Sequence, residues 1–232
     1  AEAADVLQFF VSDAAAVFEI LEAMGDTLTD RHTVLCSATI GREATLEAAR
    51  RVKERGARFV DAPFTGSKEA ARNAQLLYFI GADEEALPAA VQRVLETSGG
   101  KGIIPVGEIG HAAVVKVVTN VLAAVTVETL AEALAVVKAA GIAPETFATV
   151  LEKHGVRSGL TDMKLPRMMA GDYEETHFAL KHMLKDVRLG LDLGKELNLD
   201  LPVTHRTADL LADGQEKGWG ELDFSCLFKR YP

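Results

Sequence analysis

Along the first hundred residues, compact apolar runs alternate with stretches of helical periodicity. Val6 to Val11 (VLQFFV) is a short unbroken apolar run, the mark of a strand buried on both faces. Ser12 and Asp13 then supply N-cap candidates for a helix running to Met24. Thr33 to Ser37 (TVLCS) predicts a second strand, and Arg42 to Arg55 a helix ended by Gly56. Arg58 to Asp61 (RFVD) predicts a third strand, which leads into Ala62-Pro63-Phe64-Thr65-Gly66-Ser67. Gln75 to Gly81 (QLLYFIG) is a fourth, Glu84 to Ser98 a helix opened by Asp83, and Gly102 to Val106 (GIIPV) a last short strand. Strands of this kind alternating with helices predict a mostly parallel α/β sheet.

After Gly107 the pattern changes and no strand follows. His111 to Ala140 contains neither Gly nor Pro and reads as one helix about 45 Å long. Further helices are predicted over Pro144 to His154, Leu160 to Ala170, Leu180 to Leu197 and Pro202 to Lys217. The chain therefore divides into an α/β part over 1–106 and an all-helical part over 107–232. The long helix carries Lys116 and Asn120 four apart, on one face of an otherwise apolar start. Burial disfavours an ammonium and makes such a lysine a usable proton donor near neutrality. Its alternative is a side chain that snorkels to the surface, with Asn120 bonding locally. Lys116, Asn120, Glu128 and Glu132 interrupt the run and argue against a membrane span.

A net charge of −9 argues against nucleic acid or an anionic membrane as partner. Two cysteines, Cys36 and Cys226, make neither a disulfide framework nor a metal-ligand spacing, which suits a reducing cytoplasmic setting. The six histidines show no HExxH-type spacing, so no catalytic metal is expected. A dinucleotide-binding sheet normally opens with a strand and GxGxxG, and this sequence contains no such motif.

Three segments in order, VDAPFTGSKEA (60–70), GEIGHAAVVKVVTN (107–120) and FALKHMLKDVRLGLDLG (178–194), resemble the β-hydroxyacid dehydrogenase family. That family includes 3-hydroxyisobutyrate dehydrogenase and is related to 6-phosphogluconate dehydrogenase. Gly66-Ser67-Lys68, the FALKHMLKD run and the terminal GWGELDFSCLFKRY (218–231) are most similar to its glyoxylate/succinic semialdehyde reductase branch. The resemblance implies a partial Rossmann domain over 1–106, without its N-terminal GxGxxG unit, and a helical substrate and dimerisation domain over 107–232. It implies NADP, or NAD in its place, as cofactor, a small carboxylated aldehyde or hydroxyacid as substrate, and a homodimer or homotetramer formed through the helical domain.

The same resemblance assigns roles. Lys116 matches the catalytic lysine, acid in reduction and base in oxidation, and Asn120 the amide that holds the substrate oxygen. Thr65, Gly66 and Ser67 match the turn that takes the substrate carboxylate, which residue chemistry supports because a hydroxyl and glycine-freed N–H groups after a strand make an anion nest. Without the resemblance the turn is an ordinary polar one. Thr39 matches a contact to the nicotinamide side, or else belongs to a helix N-cap region. Lys185 and Asp186 match a pair that reaches the cofactor cleft, or else a solvated helix pair. Phe178 matches a pocket aromatic, or else plain core. Lys181 and His182 are left unassigned. Departures are Thr65 where the family usually has Ser, Ala74-Gln75 where it often has Gly-Thr, and Ala123 where 6-phosphogluconate dehydrogenases carry Glu. The last disfavours oxidative decarboxylation, and Lys116 disfavours an imine reductase. Reduction of glyoxylate or succinic semialdehyde is the expected activity. The alternatives are a 3-hydroxyisobutyrate-type dehydrogenase working oxidatively and a non-catalytic oligomerisation remnant.

Overall fold

A computed structural model describes residues 3–83 and 87–231. It divides into two compact units, 1–118 and 119–232. In the first, β1 (Val6–Phe9), α1 (Ala14–Met24), β2 (Thr33–Cys36), α2 (Arg42–Lys53) and β3 (Arg58–Asp61) follow the alternation expected from the sequence. β1, β2 and β3 are parallel neighbours, with Phe9, Cys36 and Asp61 in one register row. The strands are apolar throughout because both faces are covered. Val34 and Cys36 join one cluster with Val17 and Leu21 of α1, while Leu35 and Val60 join another with Val91 and Leu95 of α4 (Ala89–Ser98). Asp13 caps α1 by accepting the Ala16 N–H at 3.0 Å.

The sheet then reverses. β4 (Phe64–Thr65) was not foreseen; it pairs antiparallel with β5 (Leu77–Gly81), as does the last residue of β3. The register is continuous from β3 through β4, so the two are one strand interrupted at Ala62-Pro63. The segment between β4 and β5 contains only the five-residue helix α3 (Lys68–Arg72), too little for the helical crossover a parallel return requires. β6 (Gly102–Gly107) runs parallel to β5, and Pro105 is tolerated because, among the described residues, β6 pairs with β5 alone. The parallel ladders remain the longer ones, so the sheet is mostly parallel.

Several boundaries move. β1 stops at Phe9, where its partner β2 ends, and Phe10 is left 55% exposed. α4 begins at Ala89, directly after Pro88, whose φ/ψ of −52°/139° is extended. The first positions expected of that helix, 84–86, lie outside the described residues. Ala74 adopts φ +54°, a left-handed conformation that costs a non-glycine residue about 1 kcal/mol. This is where the family pattern often places glycine.

The long helix α5 (His111–Ala139) has the bounds expected to within one residue. By length and composition it could cross a membrane, but Ala124, Val127, Ala131 and Leu134 instead pack in the core of the second unit. That core is closed by α7 (Gly159–Ala170), α8 (Leu180–Glu196), α9 (Pro202–Glu216) and a 3-10 helix over Phe224–Arg230, with Phe147 and Leu151 of α6 (Pro144–Lys153) against it. Pro144 and Pro202 each open a helix at a position where the missing N–H costs nothing.

The start of α5 is fixed by a residue far away in sequence. The Asp61 carboxylate, 1% exposed, accepts the Gly110 N–H at 3.1 Å and the Ala113 N–H at 2.9 Å through Oδ2. It does the work of an N-cap from a strand end. Burial pushes the Asp61 carboxyl up to about 7, against the pull of these helix N–H groups. Between about pH 4 and 7 the folded chain therefore holds a proton there that the unfolded chain has lost. Stability contributed by this group falls as pH rises through that window, by up to about 4 kcal/mol. Asp61→Asn removes this slope. Urea titrations of the two proteins at pH 4.5 and 7.5 measure it, with a smaller stability difference between the two pH values expected for Asp61→Asn.

Candidate functional site

Dinucleotides and their substrates bind beyond the carboxyl ends of the strands in an open α/β sheet. In the first unit the candidate residues gather at those ends. Phe10, just past β1, packs edge-on against Phe64 of β4 with ring centroids 5.6 Å apart. Thr39, half-buried, lies in the loop after β2. It is not the cap of α2; that position is Gly41, at φ +80° and with no side-chain cap. Asp61 ends β3, and four residues later the chain reaches Thr65, Gly66 and Ser67.

Within that turn the three residues differ. Thr65 closes β4, paired with Leu77 of β5. Gly66 has φ +154°, and a Cβ there would stand 2.7 Å from Leu76 Cδ2, so no side chain fits without displacement. Ser67 accepts the Ala70 N–H at 3.1 Å and caps α3. Its hydroxyl hydrogen is left to donate, which is what a carboxylate needs from it.

Lys116 is buried, 9% exposed, as are its neighbours along the helix, Ala112, Ala113 and Val117. It does not sit on an open helix face. Its approach is set by three contacts at the head of α5. The Asp61 clasp is one. The second is a close approach at Gly81, where a Cβ would lie 2.6 Å from the Glu108 carbonyl oxygen. The third is Gly110 at φ +93°, beside Leu46 and Arg42.

The second unit places the other candidates. Asn120 Nδ2 donates to Asp186 Oδ2 at 2.5 Å, and the Lys185 ammonium stands 2.9 Å from Asp186 Oδ1 in ion-pair range. Asp186 is 2% exposed, so Lys185 and Asp186 are not a solvated pair: the carboxylate is an internal anchor for the Asn120 amide. Phe178 is half-buried, edge-on to Phe224 at 6.2 Å and tilted to His182 at 6.3 Å.

Behind Phe178 stands a charge pair that sequence reasoning missed. Lys164 Nζ lies 2.8 Å from both Asp223 oxygens, with the two side chains 2% and 0% exposed. Asp223 also accepts the N–H groups of His177 (3.1 Å), Phe178 (3.2 Å) and Ser225 (3.1 Å) and the Ser225 hydroxyl (2.7 Å). Burial alone would raise this carboxyl, but the Lys164 charge and these donors hold it below the usual range. Arg167 donates to His177 Nε2 at 3.0 Å, and burial together with Arg167 lowers the His177 pKa. The sequence signal was present in Asp223-Phe224-Ser225, an Asp two before a Ser, but it does not name Lys164 as partner. Among the described residues no group of His, Cys, Asp and Glu could hold a metal. The loops that carry Phe10 and Thr39, and the Gly41 start of α2, lie at the carboxyl ends of β1 and β2, the end of an open α/β sheet at which ligands bind.

Two family models match the chain. One, described as NAD-binding of NADP-dependent 3-hydroxyisobutyrate dehydrogenase, covers residues 110–231. The other, the NAD binding domain of 6-phosphogluconate dehydrogenase, covers 1–107. A 2-(hydroxymethyl)glutarate dehydrogenase from Eubacterium barkeri is 32% identical over 99% of this chain and 76% of its own length. Glyoxylate/succinic semialdehyde reductase 1 of Arabidopsis thaliana is 29% identical over 83% of this chain and 65% of its own length. The crystal structure of a 3-hydroxyisobutyrate dehydrogenase from Salmonella typhimurium superposes with a TM-score of 0.85 at 23% identity, over 99% of this chain and 80% of that one.

Removing half of the buried pair should be costly. Asp223→Ala leaves an ammonium buried and strands the His177 and Phe178 N–H groups, and a loss of about 3–5 kcal/mol in chemical denaturation is expected. Lys164→Met together with Asp223→Leu should lose less than Asp223→Ala alone, because no charge is then left unpaired.

Proposed function

The chain belongs to the β-hydroxyacid dehydrogenase family, NAD(P)-dependent dehydrogenases and reductases of hydroxyl and carbonyl groups, and from that premise we propose that it reduces small carboxylated aldehydes such as glyoxylate and succinic semialdehyde. The cofactor is NADP, or NAD in its place. Bound nicotinamide supplies a hydride to the carbonyl carbon. Lys116 delivers the proton that the carbonyl oxygen takes up, and before that its ammonium balances the charge growing on that oxygen. Asn120, one helical turn along, holds the same oxygen through an amide kept in orientation by Asp186. The Ser67 and Thr65 hydroxyls and the backbone at Gly66 take the substrate carboxylate. Phe178 supplies an apolar wall, and Thr39 and Lys185 contact the cofactor.

The observation that carries this reading is the burial of Lys116 on a helix start clasped by the last residue of β3, four residues before Thr65. A buried lysine on a helix whose start is clasped to the strand that runs on into the Thr65-Gly66-Ser67 turn suits a carbonyl compound that also bears a carboxylate. The similarity to the Arabidopsis reductase supports the aldehyde class. The similarity to 2-(hydroxymethyl)glutarate dehydrogenase favours a second reading, oxidation of a β-hydroxyacid with Lys116 as base. The same residues serve both directions.

We also propose self-association through the helical unit, where Leu122, Val136 and Val150 are each more than half exposed. A cytoplasmic setting suits two free, buried cysteines, whose thiols burial pushes up to about 12.

Lys116→Ala should lower kcat for NADPH-dependent reduction of succinic semialdehyde at least about 100-fold. Steady-state rates, followed by loss of NADPH absorbance, measure it. Turnover equal to that of the unaltered protein would remove Lys116 from the chemistry.

A further inference from the structure

Asp61 lies between the two segments that the proposed reaction needs in register. It is the final residue of β3, and the strand continues through β4 to the Thr65-Gly66-Ser67 turn. Its carboxylate holds Gly110 and Ala113, the first turn of α5, from 49 and 52 residues away. Ala113 is three residues before Lys116, and Ala112, whose N–H also faces Asp61, is four before it. In a helix those spacings fall on one face. One side chain therefore joins the anion-binding turn and the proton donor by a path of about one helical turn on one side and four residues of strand on the other.

We infer that Asp61 is a positioning residue for the reaction: by clasping the head of α5 to the end of β3 it fixes the Lys116 ammonium relative to the turn that holds the substrate. This inference rests on the reading of Lys116 as proton donor.

Three features separate this role from generic core packing. A buried carboxylate is an expensive way to fill space, because desolvation penalises its charged form. Burial pushes the Asp61 carboxyl up to about 7, so the fold bears that penalty at neutral pH. The same junction is specified by Gly81, which lets the Glu108 carbonyl approach, and by Gly107 and Gly110 at φ +118° and +93°. These devices converge on the entry to the helix that bears Lys116, and the cost of a misplaced catalytic group is paid in kcat.

The test compares Asp61→Ala, Asp61→Asn and Val17→Ala in the whole protein. Val17 is fully buried in α1, and its truncation is a destabilisation control. Asp61→Asn keeps an acceptor oxygen for the two N–H groups. Asp61→Ala should lower kcat at least 10-fold with KM for the aldehyde changed less than 3-fold, and Asp61→Asn should restore kcat to within 3-fold. Amide exchange at Gly110 and Ala113 should quicken in Asp61→Ala alone. The 13Cε resonance of Lys116 gives a readout independent of turnover: its titration midpoint should move by at least half a pH unit in Asp61→Ala and stay in place in Val17→Ala. Equal effects of Asp61→Ala and Val17→Ala on kcat and on the Lys116 titration would overturn the inference. If Lys116→Ala keeps full turnover, the proton-donor reading fails instead, and a Lys116 titration that still moves in Asp61→Ala identifies that outcome.

Discussion

A single buried carboxylate ties the start of the long helix to the sheet of the first unit. Asp61 leaves water at the end of a parallel strand and recovers that cost only by accepting the N–H groups that a helix cannot satisfy internally. The exchange has a direction. It can be made only where a helix begins directly over the end of a strand, and so it dictates where α5 starts. From the same strand end the chain runs through the interruption at Ala62-Pro63 and β4 to Ser67, and three residues beyond the clasped Ala113 stands the buried Lys116.

The second unit solves a similar problem with two other aspartates. Asp223 is satisfied by five donor groups, counting Lys164 as one; two are the backbone N–H groups of His177 and Phe178, outside any regular element, and a third is the N–H of Ser225 at the start of the 3-10 helix that Asp223 caps. Asp186 holds one amide and one ammonium. In each case the aspartate is buried because its partners are fixed, and the partners are fixed because the aspartate cannot be left unpaired. Residues proposed to touch substrate are held by these anchors: Phe178 by its own N–H to Asp223, Asn120 by its amide to Asp186.

The arrangement suits chemistry that needs little beyond position. Reduction of a carbonyl asks the protein for a proton at one oxygen, a place for a carboxylate, and exclusion of water. In the proposed reading the buried Lys116 and the hydroxyls of Thr65 and Ser67 meet those needs.

The sequence by itself determined the elements and the identity of the candidate chemistry. Apolar runs and helical periods located β1, β2, β3, α2 and α5 to within a few residues, because burial on two faces and a Gly- and Pro-free run are local properties of the chain. Lys116 and Asn120 stood out as polar positions in an apolar run, and the three ordered segments supplied the family. The tertiary structure decided what depends on partners distant in sequence. The reversal at β5 arises from too short a connection after β4, which no strand signal reports. Ser67 proved to cap α3, and Asp186 to hold Asn120 rather than water. Asp61 and the Lys164–Asp223 pair were invisible as sites because a charged residue carries no mark of its partner. The function of a buried charge is defined by the groups that face it, and those arrive from 49, 52 and 59 residues away.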